Sequence, residues 1–319
     1  MELTDSQLNC FVNNRLKLPK GKRAEYLAQV DRLIDKFTAA AAGDRVIGIK
    51  KFLKTGSLRK GTVLRPRGDL GVDADVAVFL DTNGTSQYDL SNLHGRIRNL
   101  LAKSYPTKVA TDFTVQPRTL GIMFRDSGLE MDLVPLIPIE GPGDYGWQPS
   151  SQGDAPVKTS VMKQLEFIRA RKDGYANFTS LVRLLKFWRD FHDLDESFRS
   201  FTIELIVSHL QDVGGAPNSL EDGLLRFFLY VIDSELKKII SFKECGLPKS
   251  TPKDRVIILD PCNCDNNVAR RITDQDCTEI IEKCKNAWET LSYARNHGGK
   301  VQALELWKEV FGRSFVIEE

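Results

Sequence analysis

No uninterrupted apolar run in this 319-residue sequence is long enough to cross a bilayer, which excludes a helical membrane span as its organising feature. The opening segment carries early acids and lacks the apolar core of a signal peptide. Six cysteines without such a leader fit a reducing compartment better than a disulfide framework, so a cytoplasmic location is expected. The four histidines, at 94, 192, 209 and 297, show no ligand-like spacing and no Ser/His/Asp arrangement. Neither sign of charge is in excess: 45 Lys and Arg against 43 Asp and Glu leave a net +2. That balance is too mild for a coat of nucleic acid, although it says nothing about local patches. Internal repeats and low-complexity tracts are lacking as well.

What remains is ordinary globular material, 41% hydrophobic and 28% charged, enough for one large domain or two packed lobes. Helical spacing of apolar residues across 6–42, broken at Pro19-Lys20-Gly21, predicts two helices. Strands are expected at 46–53, 75–80, 108–115, 119–125 and 129–137, with a helix at 88–103 between the second and third. The glycine- and proline-rich stretch 139–156 reads as a loop joining lobes. Beyond it helices are expected at 157–172, 176–193, 201–212, 219–240, 274–296 and 300–311, interrupted by a short apolar stretch at 256–259. The expected fold class is therefore α+β: a mixed-sheet core with N-terminal helices over 1–156, and a helical lobe over 157–319. A cleft between such lobes is a natural ligand site.

The chemistry is concentrated in the first lobe. Gly56-Ser57 stands where a strand gives way to a helix, a position where glycine lets the backbone approach a phosphate. Asp73 and Asp75 lie two apart on a strand, so both carboxylates project from one face. Like charges that close are costly unless a cation lies between them. A third acid, Asp132, interrupts the apolar run Met131, Leu133, Val134 and needs a partner or a metal there. Glu130 shares its face and is the rival for that role, whereas Asp69 reads as a turn residue in Gly68-Asp69-Leu70-Gly71. Three carboxylates from two strands can hold two Mg²⁺ ions about 3.5–4 Å apart. One ion would activate a ribose hydroxyl and the other would offset charge on leaving pyrophosphate. Oxygen ligands with no nearby His or Cys favour Mg²⁺, with Mn²⁺ as the alternative, over zinc.

Gly56-Ser57, Asp73-x-Asp75 and Asp132-Leu133-Val134-Pro135, in that order, resemble the signature of the polymerase-β-like nucleotidyltransferases. More narrowly, the sequence resembles the bacterial cGAS/DncV-like enzymes (CD-NTases), relatives of oligoadenylate synthetase. The pattern Gly-Ser-Leu-x-Lys-Gly-Thr-x-Leu-Arg matches 56–65; Leu184, Lys186 and Trp188 resemble the family's long helix. Ser200-Phe201 with Glu204-Leu205 resembles the next helix start, and the stretch 260–268 resembles the synthetase-type Asp-Pro…Asn-Asn-Val segment. The resemblance implies a polymerase-β-like mixed-sheet core with an oligoadenylate-synthetase-like helical lobe. It further implies synthesis of a cyclic di- or trinucleotide second messenger, with at least one adenine, in antiphage (CBASS-type) signalling. By the same resemblance Gly56 and Ser57 hold the triphosphate, Asp73, Asp75 and Asp132 hold the metals, and Lys186 and Ser200 contact phosphates. ATP and other NTPs are then the substrates and a HORMA-type protein a regulatory partner; no dense Lys/Arg cluster points to activation by nucleic acid. Two features depart from the family: the insertion-like stretch 67–72 and the Cys-Asn-Cys at 262–264.

Other features have plainer readings. Five cysteines fall in the helical lobe without finger spacing, so buried thiols are the default over a zinc site. Phe187, Trp188 and Phe191 read as core, Arg169, Arg171 and Lys172 as a helix end at the surface, and Lys186 alternatively as a solvated helix edge. Two other functions stay open: a transferase making linear oligoadenylate or acting on a macromolecular acceptor, and a nucleotide-binding sensor without turnover. The terminal Val316-Ile317-Glu318-Glu319 offers no small residue for conjugation.

Overall fold

A computed structural model describes residues 2–44, 46–67, 71–81, 92–246, 248–250, 252–297 and 299–317. It divides into two compact units, one of residues 18–166 and the other of 1–17 together with 167–319.

The first unit is built on β1 (Gly48–Thr55), β2 (Val72–Asp81), β3 (Phe113–Val115), β4 (Leu120–Phe124) and β5 (Leu129–Pro138) in the order β1-β2-β5-β4-β3. Only the β2–β5 pairing is parallel within this path; its other three are antiparallel. Alternation decides which side chains go where. Val72, Ala74, Val76, Val78 and Leu80 of β2 face one side, joined by Leu129, Met131 and Leu133 of β5. Helix α2 (Lys20–Ala41) covers that side through Val30, Leu33 and Phe37, together with α4 (Leu93–Ser104) through Ile97 and Leu101. Burying a side chain such as Phe37 stabilises the unit by about 1.5–3 kcal/mol. The short α3 (Gly56–Lys60) follows β1 directly and ends at Gly61, whose left-handed backbone (φ 76°) caps it.

The second unit contains α1 (Asp5–Phe11), which runs into a π-turn at Val12–Leu16, and α6 (Phe178–Phe191), α7 (Ser200–Gly214), α8 (Leu220–Ser234), α9 (Asp274–His297) and α10 (Lys300–Phe311). A hairpin of β8 (Leu259–Asp260) and β9 (Asn263–Asn267) sits between α8 and α9 in the chain. Phe11 packs against Phe187 and Phe315, with ring centroids at 5.6 and 4.7 Å. Helix α5 (Val161–Gly174) runs across the division at 166/167.

Several sequence expectations shift. The mixed sheet and the helix-rich second half stand, but the first N-terminal helix groups with the helical unit rather than the sheet. Specific bonds hold it there: Leu3 N donates to Glu221 at 2.6 Å, Asn177 to Asp5 at 2.7 Å and Ser180 to Asn9 at 2.7 Å. The sheet unit also extends past 156 to 166. In the stretch expected to be loop, β6 (Gly146–Gln148) pairs with both β5 and β7 (Val157–Thr159), so strand rather than helix begins at 157. Helix α8 ends at 234 instead of 240, because Glu235 and Leu236 adopt φ of 46° and 55°. The strand expected at 108–115 shrinks to β3, preceded by a turn of 3₁₀-helix at Ala110–Asp112. Arg171 is buried rather than superficial, paired with Asp212 at 2.6 Å and with Glu244 at 2.5 Å. Phe191, expected in the core, is 45% exposed. Part of the helix expected at 88–103, the turn residue Asp69 and the final two residues lie outside the described residues. No helix among the described residues is long and apolar enough to cross a membrane.

Glu221 makes a testable cost visible. It is fully buried, one carboxylate oxygen accepts the Leu3 amide and the other has no partner. Burial, opposed by the Leu3 bond, pushes its carboxyl up to about 7 from the ordinary 4.5. A folded-state value above the unfolded one means the native state holds the proton longer, so stability falls as pH rises from about 4.5 to about 7. Glu221→Gln removes this loss. It should unfold later than the parent at pH 8, by about 2–3 kcal/mol in urea titrations, with the gap closing near pH 4.5.

Candidate active site

The acids sit on the side of the sheet opposite α2 and α4. Parallel pairing places Asp73 beside Glu130 and Asp75 beside Asp132, so four carboxylates share one face of two neighbouring strands. Further along, the same face is apolar: Ala77 and Phe79 of β2 and Leu136 of β5 pack under Val161 of α5. Helix α5 thus covers one half of this face and the acids occupy the other. Asp73 is exposed and Asp75 half-buried.

Glycines let the backbone close around these groups. Gly56 has φ +68°, and a Cβ placed there would lie 1.7 Å from Oδ2 of Asp75. The turn is tied down by the amides of Thr62 and Val63, which donate to the Ser57 carbonyl at 3.0 and 3.2 Å. Arg23 of α2 adds a bond to the Leu58 carbonyl at 3.1 Å. On the other flank Gly121 of β4 pairs with Asp132. A Cβ at Gly121 would lie 2.1 Å from Oγ1 of Thr114, 3.0 Å from Oδ1 of Asp132 and 3.2 Å from Oε1 of Glu130. Sequence reasoning missed Gly121; only its place opposite Asp132 in an antiparallel register reveals it.

Electrostatics mark Asp132 as the focus. Its Oδ1 is buried without a hydrogen-bond partner. Burial first, then the charges of Asp75, Glu130 and Asp73, push its carboxyl up to about 7. Burial, then Asp73, raises Glu130 as well. Among the described residues no three His, Cys, Asp or Glu side chains form a ready-made metal cage. The donor set nevertheless fits a hard cation: every donor is a carboxylate oxygen, the charges repel, and one oxygen is orphaned.

The two remaining predicted contacts belong to the helical unit. Lys186 of α6 is 6% exposed, which removes the solvated-edge reading. Ser200 opens α7, and its Oγ accepts a bond from Nη1 of Arg189 at 3.0 Å. None of the six cysteines, all among the described residues, forms a disulfide, and Cys277 and Cys284 are buried.

No protein-family model matches the chain. It is 36% identical over 319 residues, all of this chain and 99% of the relative, to a CBASS oligonucleotide cyclase, CdnC, of Escherichia coli (strain KTE188). It is 32% identical over 312 residues, 96% of this chain and 95% of the relative, to a cyclic AMP-AMP-AMP synthase of E. coli (strain MS 115-1). The solved CdnC of E. coli MS115-1 with ATP superposes with a TM-score of 0.82 at 31% identity, covering 98% of this chain and 99% of that one. The same enzyme in complex with HORMA-deltaN gives 0.81 at 30% identity, covering 98% of both. The chain belongs to the cGAS/DncV-like nucleotidyltransferases. Its family is that of the CBASS oligonucleotide cyclases, which make cyclic-oligonucleotide second messengers in antiphage defence. The fold expected from the resemblance, a mixed sheet with several helices, is the nucleotidyltransferase fold of that family.

In a cGAS/DncV-like nucleotidyltransferase built this way, the absence of a side chain at 56 is itself a requirement. Gly56→Ala forces either the Asp75 carboxylate or the turn to move, and should lower pyrophosphate release from ATP at least about 100-fold. Gly121→Ala meets first the rotatable Thr114 hydroxyl and should cost about tenfold. Equal losses in the two variants would contradict this ranking.

Proposed function

We propose that this nucleotidyltransferase joins ATP into a cyclic oligonucleotide, a cyclic tri-adenylate by its kinship with the synthase described above, using Mg²⁺ held by Asp73, Asp75 and Asp132. The observation that carries the reading is the parallel pairing of Asp75 with Asp132 beside Gly56. Bound there, Mg²⁺ lowers the pKa of a ribose hydroxyl and offsets the charge that builds on the leaving pyrophosphate. Asp75 and Asp132, from adjacent strands, fix the position of the attacking hydroxyl against the α-phosphate. Gly56 and Ser57 bring backbone amides close to the triphosphate. The apolar half of the face under α5 keeps water from the inner side of the carboxylates. Lys186 and Ser200 contact phosphate oxygens. Glu130 pairs with Asp73 across the two strands and adds to the negative field that the cation would relieve. A HORMA-domain protein is the proposed regulatory partner, because the similar E. coli enzyme forms a complex with HORMA-deltaN.

Labelled ATP with Mg²⁺, with and without such a partner, should yield a phosphatase-resistant product whose mass is that of a cyclic trimer. Asp75→Asn and Asp132→Asn should each lose it at least about 100-fold. A phosphatase-sensitive product alone would assign linear oligoadenylate synthesis instead. A second measurement needs no turnover. Since burial and the neighbouring carboxylates push Asp132 up to about 7, adding Mg²⁺ at pH 7 should release protons into weak buffer, and Asp132→Asn should cut that release sharply.

A further inference from the structure

Successive strand pairings carry one row of residues across the sheet: Thr55, Asp75, Asp132, Gly121 and Thr114, each directly opposite the next. Directly paired residues present their side chains to the same face, so Thr114 of β3 stands on the acid side, two strands from Asp132. Neighbouring strands lie about 4.8 Å apart, a separation at which a side chain on β4 would screen the two from each other. Gly121 supplies none. The point where its Cβ would lie is 2.1 Å from Oγ1 of Thr114, 3.0 Å from Oδ1 of Asp132 and 3.2 Å from Oε1 of Glu130. The Thr114 hydroxyl thus leans over the bare glycine, on the side of the carboxylates.

What this notch lacks is a donor bonded to Asp132. Its Oδ1 is buried and has no hydrogen-bond partner, a state that Oδ2 does not share. The two oxygens are therefore unequal, with Oδ1 turned toward β4 and Oδ2 left to meet a cation. A carboxylate that ligates a cation through one oxygen is ordinarily held by a hydrogen bond as well, which fixes its orientation. Glu130, the other group at the notch, belongs to the row of Asp73 and Met123 and brings a second carboxylate. Thr114 brings a hydroxyl with one hydrogen to give, and its side chain makes no hydrogen bond to any of the described residues. A threonine on an edge strand needs no such purpose, since β-branched residues suit strands. Its reach across Gly121 toward an orphaned oxygen sets this one apart.

We propose that Thr114 is a positioning residue for the cation site: its hydroxyl donates to Oδ1 of Asp132 and so aims Oδ2 at the metal. The contact closes by rotation of the Thr114 side chain within the space that Gly121 leaves open. The proposal deepens the reading of Asp132 as a metal ligand and rests on it. It also gives Gly121 a further reason to lack a side chain, because a methyl there would take the place of the hydroxyl.

The test is Mn²⁺ binding to the full chain in the presence of α,β-methylene-ATP, followed by the electron paramagnetic resonance of the free ion. Beside it stands the Mg²⁺ concentration for half-maximal turnover of ATP. Thr114→Val keeps the branched shape and removes the hydroxyl; it should weaken Mn²⁺ binding about tenfold and raise the Mg²⁺ requirement to match. Thr114→Ser restores the hydroxyl and should return both to within about threefold of the parent. In a Gly121→Ala protein, Thr114→Val should add little, since the two changes remove one contact. A purely structural role predicts losses that follow the fall in Tm, with no recovery in Thr114→Ser; that pattern overturns the proposal. So does a Thr114→Val protein that binds Mn²⁺ as the parent does while Asp132→Asn does not, and in that case Asp132 keeps its place as a ligand. An Asp132→Asn protein with the parent's affinity overturns the metal site itself, and the role of Thr114 with it.

Discussion

Parallel pairing of β2 with β5 is the constraint on which the rest of the molecule depends. It is the one parallel contact in the main path of the sheet, and its register sets Asp75 against Asp132 and Asp73 against Glu130. No gain in stability explains four carboxylates on one patch, because each raises the cost of ionising the others. The sheet tolerates them because the opposite face of the same strands is an unbroken apolar core under α2 and α4. A slip of one residue would send the acids into that core and the valines out to the acid side. The hydrophobic pattern that folds the sheet therefore also fixes the site.

Two glycines finish what the register begins, on opposite flanks of the acids. Gly56 gives the chain room to turn against Asp75, and Gly121 leaves the Asp132 side of β4 without a side chain. Space here is as informative as charge: both positions are places where any Cβ would meet a neighbouring side-chain oxygen.

Much of this was legible in the sequence, and for identifiable reasons. Asp73 and Asp75 were readable because strand periodicity is simple and the following Val76–Leu80 run is apolar. Asp132 was readable because a charge within Met131, Leu133 and Val134 demands an explanation. Gly121 was not, since its importance lies in a partner across a strand pair. The three-residue strands β6 and β7 were hidden by glycine and proline around them, and their pairing depends on the end of β5. Arg171 reads locally as a helix-end cation; only Asp212 and Glu244, far along the chain, make it an interior one. The allegiance of α1 likewise rests on bonds to Asn177, Ser180 and Glu221 that no local pattern encodes.

That last feature bears on how the protein is made. The sheet unit is a continuous stretch of chain, whereas the helical unit is assembled from both ends of the sequence. During synthesis the residues of the sheet unit are complete well before α8 leaves the ribosome, and domains fold as units in that order. Helix α1 is made before the sheet unit, yet the groups it bonds to, at Asn177, Ser180 and Glu221, follow only after it. Leu8 and Phe11, buried in the finished protein, therefore wait for their partners while the whole of the sheet unit is made.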